Sequence, residues 1–220
     1  MRKWKRTMTA GLLLCALMTA LSGCGTAKEK KAYPAMELVD IGKMELATVE
    51  SETASYEYDA ELWAPKEEIV NSLVLYQKDT MDTEQPVSIN VQVAGERKQA
   101  LDEALMNQVL KQLEKNASLT VETCELRSFD GSPVIYMENA FHFDNEVIDK
   151  MIENKLWTEE SLKQAGGREA LLALPDSRSI VVYGIMDGNL VIYGGTYYEE
   201  AQKQAVADAI NVMMQTIKIK

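Results

Sequence analysis

The chain has 220 residues, with 34 acidic against 23 basic side chains, a formal charge of −11 and a single histidine. An acidic surface of this kind repels nucleic acid and anionic lipid headgroups, and no basic, aromatic-laced stripe interrupts it, so nucleic-acid binding is set aside. One histidine excludes zinc sites built on paired histidines.

The first 24 residues differ from the rest. Arg2, Lys3, Lys5 and Arg6 form a basic head, and an uncharged apolar stretch of 12 residues, Ala10 to Leu21, follows. That stretch is too short to cross a ~30 Å hydrocarbon core, which takes roughly 20 residues; head, core and small-residue exit have the layout of an export signal. The exit, Leu21-Ser22-Gly23-Cys24, resembles the bacterial lipobox. The resemblance implies that the Cys24 thiol is diacylated and that the chain is cleaved before it. Residues 1–23 are then a signal peptide and Cys24 a lipid anchor on the extracytoplasmic face of a membrane, held stably because two acyl chains anchor where one binds only marginally. All 34 acidic residues lie beyond this point with 19 of the basic ones, so the exported part carries −15. Cys15 goes with the signal, which leaves Cys124 without a disulfide partner; it lies in an alternating strand pattern and reads as a buried structural thiol.

Residues 24–35, with GTAKEKKAYPA after the cysteine, read as a short polar tether closed by Pro34, and 36–220 as one domain. Strand-forming pieces occupy Met36–Glu50 and Tyr56–Leu62, and Trp63-Ala64-Pro65 reads as a break. Ile69–Gln77 is a further strand, then a polar turn over Asp79–Pro86. Val87–Val93 alternates Val87, Ile89, Val91 and Val93 with polar residues, the pattern of a strand buried on one face. In Lys98–Asn116 the period becomes helical through Leu101, Leu105, Val109, Leu110 and Leu113. Leu119–Ser128 and Val134–Phe143 flank a turn at Phe129-Asp130-Gly131. Ser179–Met186 and Leu190–Tyr198 flank another at Asp187-Gly188-Asn189. The second hairpin is apolar on both faces and needs cover on both; the final helix, Glu199–Ile217, supplies part of it. Between the hairpins, Asp144–Arg178 reads as a helix around Val147–Leu156, a helix start at Thr158 and a Gly166-Gly167 break.

Three stretches carry a family resemblance: VSINVQVAGERKQALDEALMNQVLKQL (Val87–Leu113), SFDGSPVIYMENAFHF (Ser128–Phe143) and the segment from Ser179 to Ile219. Their order is similar to the PsbP-like (Mog-type) α/β/α sandwich, which implies an α+β fold with an antiparallel sheet covered by helices. The resemblance is one of pattern, and members of the family serve unrelated roles. Asp144–Arg178 departs from it as a helical insertion of about 35 residues, read either as a helical cover over the sheet or as a lid or docking surface.

Reactive constellations are scarce. No G-x-S-x-G accompanies His142, and Glu138, four strand residues away on the same face, stands ~13 Å off, so His142 reads as a surface histidine. Gly166-Gly167 and Gly194-Gly195 lack phosphate-loop spacing; the second pair, inside a strand, suggests a bulge or a close backbone approach. Acidic residues crowd Glu45–Glu68 and Asp79–Glu84 without the ligand order of a calcium loop, and Tyr193, Tyr197 and Tyr198 fit core, edge or interface alike. The expectation is therefore a non-catalytic binding or accessory module that needs no cofactor or metal. It would be tethered through Cys24 and would meet an envelope protein through the sheet face or the insertion. Capture of a cationic ligand, peptide or metal ion is the alternative, and an envelope hydrolase the third.

Overall fold

The computed structural model describes residues 32–65, 73–164 and 166–220. Cys24 and the stretch expected to be an export signal lie outside the described residues, as do Glu67, Glu68 and the first part of the expected Ile69–Gln77 strand.

Among the described residues ten strands and five α-helices follow one another, with a 3-10 turn at Ile41–Lys43 before the first strand. They are β1 (Leu46–Glu50), β2 (Ala54–Asp59), β3 (Trp63–Pro65), β4 (Val74–Gln77), β5 (Ser88–Glu96), α1 (Glu103–Leu113), β6 (Leu119–Phe129), β7 (Ser132–Phe141), α2 (Asn145–Glu153), α3 (Glu159–Gln164), α4 (Arg168–Leu172), β8 (Ser177–Met186), β9 (Asn189–Tyr197), α5 (Glu200–Thr216) and β10 (Lys218–Ile219). Seven strands form one sheet in the order β3-β4-β5-β9-β8-β7-β6, antiparallel throughout. The strands β1, β2 and β10 form a second, small antiparallel sheet.

Local chemistry explains the regular parts. Both hairpins turn on Asp-Gly, with Asp130 and Gly131 at φ 45° and 76°, and Asp187 and Gly188 at 50° and 76°. Two successive left-handed residues give the turn whose twist matches its strands. The helix α1 starts later than the apolar period suggests, because Asp102 accepts a 2.9 Å hydrogen bond from Leu105 N and so ends the preceding loop. In α5 Glu199 and Gln202 form a reciprocal capping box.

The large sheet is buried on both faces. On one, Val134, Tyr136, Ile180, Val182, Val191 and Tyr193 pack with Val206, Ile210 and Met213 of α5, and the small sheet joins this core through Tyr56 and Tyr58. On the other, Leu105, Val109 and Leu113 of α1 pack on Leu126, Ile135, Met137, Val181, Tyr183, Leu190 and Ile192. This is an α+β layered fold, and the doubly apolar strands β7 to β9 are its middle.

Several expectations need correction. Trp63-Ala64-Pro65 is not a break but the outermost strand β3, with Trp63 buried; an edge tolerates Pro65 because that proline owes the ladder no N–H. Met36–Glu50 yields a strand only from Leu46. Before it the chain crosses α5, where Asn211 Oδ1 accepts from Val39 N (3.1 Å), Asn211 Nδ2 donates to Glu37 O (3.0 Å), and Gln215 Nε2 donates to Val39 O (3.0 Å). Lys218-Ile219 leaves the helix at Ile217 (ψ 138°) and pairs with Ala54 and Ser55 of β2. Ser177 and Arg178 belong to β8, so the insertion closes at Asp176. It is not a cover over the sheet. Its helices gather around Ile148, Leu162 and Leu171, with Phe143, Ile152, Trp157 and Leu174 at the margin, a core separate from the two sheet cores.

Candidate functional site

The insertion grows from the ends of two neighbouring strands. Phe141 of β7 pairs with Ser177 of β8, so the 35 residues between them leave and re-enter the sheet side by side. Asp144 starts α2 by accepting from Val147 N at 2.7 Å. Thr158 and Ser161 start α3 by exchanging bonds, Ser161 N donating to Thr158 Oγ1 (3.1 Å) and Thr158 N to Ser161 Oγ (2.8 Å), as the Thr158 expectation required. Arg168 of α4 ties back to α2, donating to Asn145 Oδ1 (3.2 Å) and Asp149 Oδ1 (2.5 Å). Two large apolar side chains remain well exposed on this unit, Leu156 at 38 % and Leu172 at 39 %.

His142 stands at the root. Its Nδ1 lies 2.7 Å from Asp176 Oδ1, and its Nε2 lies 3.6 Å from Asp144 Oδ2. The hydrogen bond and charge of Asp176, helped by Asp144, hold the imidazole above its usual range. The two carboxylates meet opposite ring nitrogens and do not converge with the ring on one point. No group of three or more His, Cys, Asp and Glu side chains able to hold a metal occurs among the described residues.

Glu138, considered beside His142 in the sequence, faces α5 instead. Tyr136 OH donates to its Oε1 (2.8 Å) and Lys203 Nζ to its Oε2 (2.7 Å). Burial pushes the Glu138 carboxyl up, but the hydrogen bonds from Lys203 and Tyr136 and the charges of Lys203 and Arg127 outweigh it and hold the group below the usual range. Arg127 lies 3.5 Å over the Tyr136 ring and pairs with Glu125 at 2.6 Å. Arg178 bridges Glu122 (3.5 Å) and Glu200 (3.0 Å). This network fastens the N-terminal half of α5 to β6, β7 and β8. Its shifts favour fixed charge, whereas a general acid or base works best near the ambient pH.

Cys124 is half-buried, and burial, then the charge of Glu125, raise its thiol to about 11; a thiol so rarely ionised is a poor nucleophile. Tyr193 and Tyr197 are core residues and Tyr198 is half-buried. A cleft of about 640 Å³ lies at the opposite end from the insertion, between Glu96, Lys98, Leu101, Pro133, Ile185 and Asp187. Its lining mixes both signs of charge, and the insertion contributes nothing to it. Sequence reasoning found the insertion but missed the His142–Asp144–Asp176 cluster; its one local signal was the H-x-D spacing of His142 and Asp144.

At the edge of the sheet the entering chain docks on β6: Ser128 N donates to Pro34 O, and Met36 N donates to Ser128 O, each at 2.8 Å. No helix among the described residues is long and apolar enough to cross a membrane.

No protein-family model matches the chain, and no curated protein does. The solved structures similar to it include three that differ widely in origin. Cyanobacterial PsbP (CyanoP) from Synechocystis sp. PCC 6803 shares 12 % identity over 91 % of this chain and 99 % of its own, at a TM-score of 0.37. The Ran-binding protein Mog1p of Saccharomyces cerevisiae shares 8 % over 80 % and 96 %, at 0.42. LpqN of Mycobacterium tuberculosis, involved in cell envelope biogenesis, shares 9 % over 82 % and 94 %, at 0.38. At these scores the fold rests on the chain's own strand order: an antiparallel sheet with α5 on one face and α1 on the other, an α+β sandwich carrying a helical insertion.

Proposed function

We propose that the protein is a lipid-tethered, extracytoplasmic binding module without catalytic activity, which docks a neighbouring envelope protein through the insertion Asp144–Asp176. The observation that carries this reading is the exposure of Leu156 and Leu172 on a unit with its own small core. Both faces of the central strands are already occupied by α1 and α5, while the insertion stands on a core of its own and offers a partner a separate surface. Exposed apolar side chains suit a protein contact where they join into a patch, and Leu156 and Leu172 belong to the same unit. The Cys24 anchor gives this surface its place. Pro34, which already bonds to β6, stands ten positions after Cys24, so this edge of the sheet is held within ~35 Å of the bilayer.

The test separates anchor from docking. Cys24→Ala is expected to move the protein out of the membrane fraction. Leu156→Asp with Leu172→Asp is expected to leave it membrane-bound and folded, with unchanged thermal unfolding, while an in-cell crosslink from the insertion to an envelope protein disappears. A crosslink that survives the double substitution would sink docking through the insertion; a membrane-bound Cys24→Ala protein would sink the anchor.

A further inference from the structure

We infer that His142 is a pH-dependent latch: its doubly protonated ring holds both roots of the insertion to the end of β7, and loss of that proton lets the three helices swing as a unit. The geometry is that of a hinge. His142 follows β7 directly and its backbone N donates to Ser118 O (3.0 Å), so the ring is mounted on the sheet. The charged groups facing it come from the two strands of chain that form the insertion's neck, Asp144 at the start of α2 and Asp176 just before β8; the loop leading into β6 contributes only the neutral Ser118 carbonyl.

Ionised carboxylates only accept, and they stand at both ring nitrogens. An imidazolium carries an N–H on each nitrogen, so it donates to Asp176 and attracts Asp144 across 3.6 Å; a neutral imidazole has one N–H, and turns a lone pair toward the other carboxylate. Deprotonation therefore replaces one of two attractions with a repulsion, whichever tautomer forms. Beyond the latch, the insertion is joined to the body by its two chain connections and, among the hydrogen bonds of the described residues, by Asn154 Nδ2 donating to Lys115 O (3.2 Å), while its apolar core and the Arg168 bonds are internal. Opening the latch thus loosens the unit's attachment without dismantling it.

The sign follows from the raised folded value. The contribution is fully present below the ordinary histidine value of 6.5 and is lost as pH rises through the raised one. Asp144 runs the other way: its bond from Val147 N and the nearby imidazole hold it low, so its cap fails only in acid. The latch stands independently of the docking reading. Only its consequence, docking that depends on pH, rests on that reading.

Because His142 is the chain's only histidine, its ring resonances can be followed by NMR without assignment. The full chain should titrate above 6.5, and Asp176→Asn should bring the midpoint back down. Hydrogen exchange, corrected for intrinsic rates, should show residues 144–176 opening about two- to five-fold more, relative to α5, at pH 8.5 than at pH 6, the size expected of exposed ion pairs. His142→Gln should be loose at both pH values, and His142→Arg latched at both. A wild-type midpoint at 6.5 or below, or a pH response that persists in His142→Gln, would overturn the latch. Neither readout uses a partner protein, so the docking reading can fail while the latch stands.

Discussion

At single residues, this fold is most sensitive where α5 meets the sheet. Gly195 of β9 lies directly under α5, and a Cβ there would overlap Val206 Cγ1 and press on Ile210 and Ile89. Gly195→Ala is expected to destabilise by about 1–3 kcal/mol through overpacking. Val206→Ala in the same chain should recover part of that loss, although alone it would cost stability, and urea unfolding of the double-mutant cycle measures both. Additive effects would show that the helix, and not the Val206 side chain, yields. The glycine pair was legible as a bulge or a close backbone approach, and the regular pairing of Gly194 and Gly195, together with the atoms crowding them, decides for the approach. What approaches was not legible: Val206 is 11 residues on and on another element. The same limit applies to Glu138. Strand spacing showed that His142 could not reach it, and only the packed helix supplied Lys203.

At the level of elements, the strongest local signals were the two Asp-Gly turns and the amphipathic helices, since these depend on residues within a few positions of each other. The start of α1 is one such case. Asp102 caps it, so Asp102→Ala is expected to cost about 1 kcal/mol and to fray the first turn, seen as faster exchange at Leu105 N while α5 is unaffected. An unchanged rate there would mean that packing of Leu101 and Leu105 fixes the helix start without the cap. The weaker elements were misread or passed over for a shared reason. The strands β3 and β10 are three and two residues long and exist because β4 and β2 template them. Nothing in Trp63-Ala64-Pro65 or Lys218-Ile219 alone distinguishes a strand from a break or a fraying helix. The helices of the insertion were visible by capping and period, yet their destination was not, since a small amphipathic helix packs equally well on a sheet or on its neighbours.

For the whole molecule, the insertion is an addition to a sheet that closes without it. Replacing residues 142–176 by Asp-Gly would join Phe141 to Ser177 through the turn that already joins Phe129 to Ser132 and Met186 to Asn189. The shortened chain is expected to unfold cooperatively, with its midpoint within about 8 °C of the full chain, the equivalent of ~2 kcal/mol or less for a domain of this size, while losing the envelope crosslink. Failure to fold would make the insertion part of the structural core. The sequence by itself determined the charge balance, the hairpins, the main helices and the α+β class, because each of these is written in composition or in short-range periodicity. Tertiary structure alone decided the second sheet, the docking of Pro34–Met36 on β6, the separate core of the insertion and the meeting of His142 with Asp176, 34 positions away. Contacts between residues so distant in the chain are chosen by which buried faces fit together, and that choice leaves no periodic trace for a sequence to show.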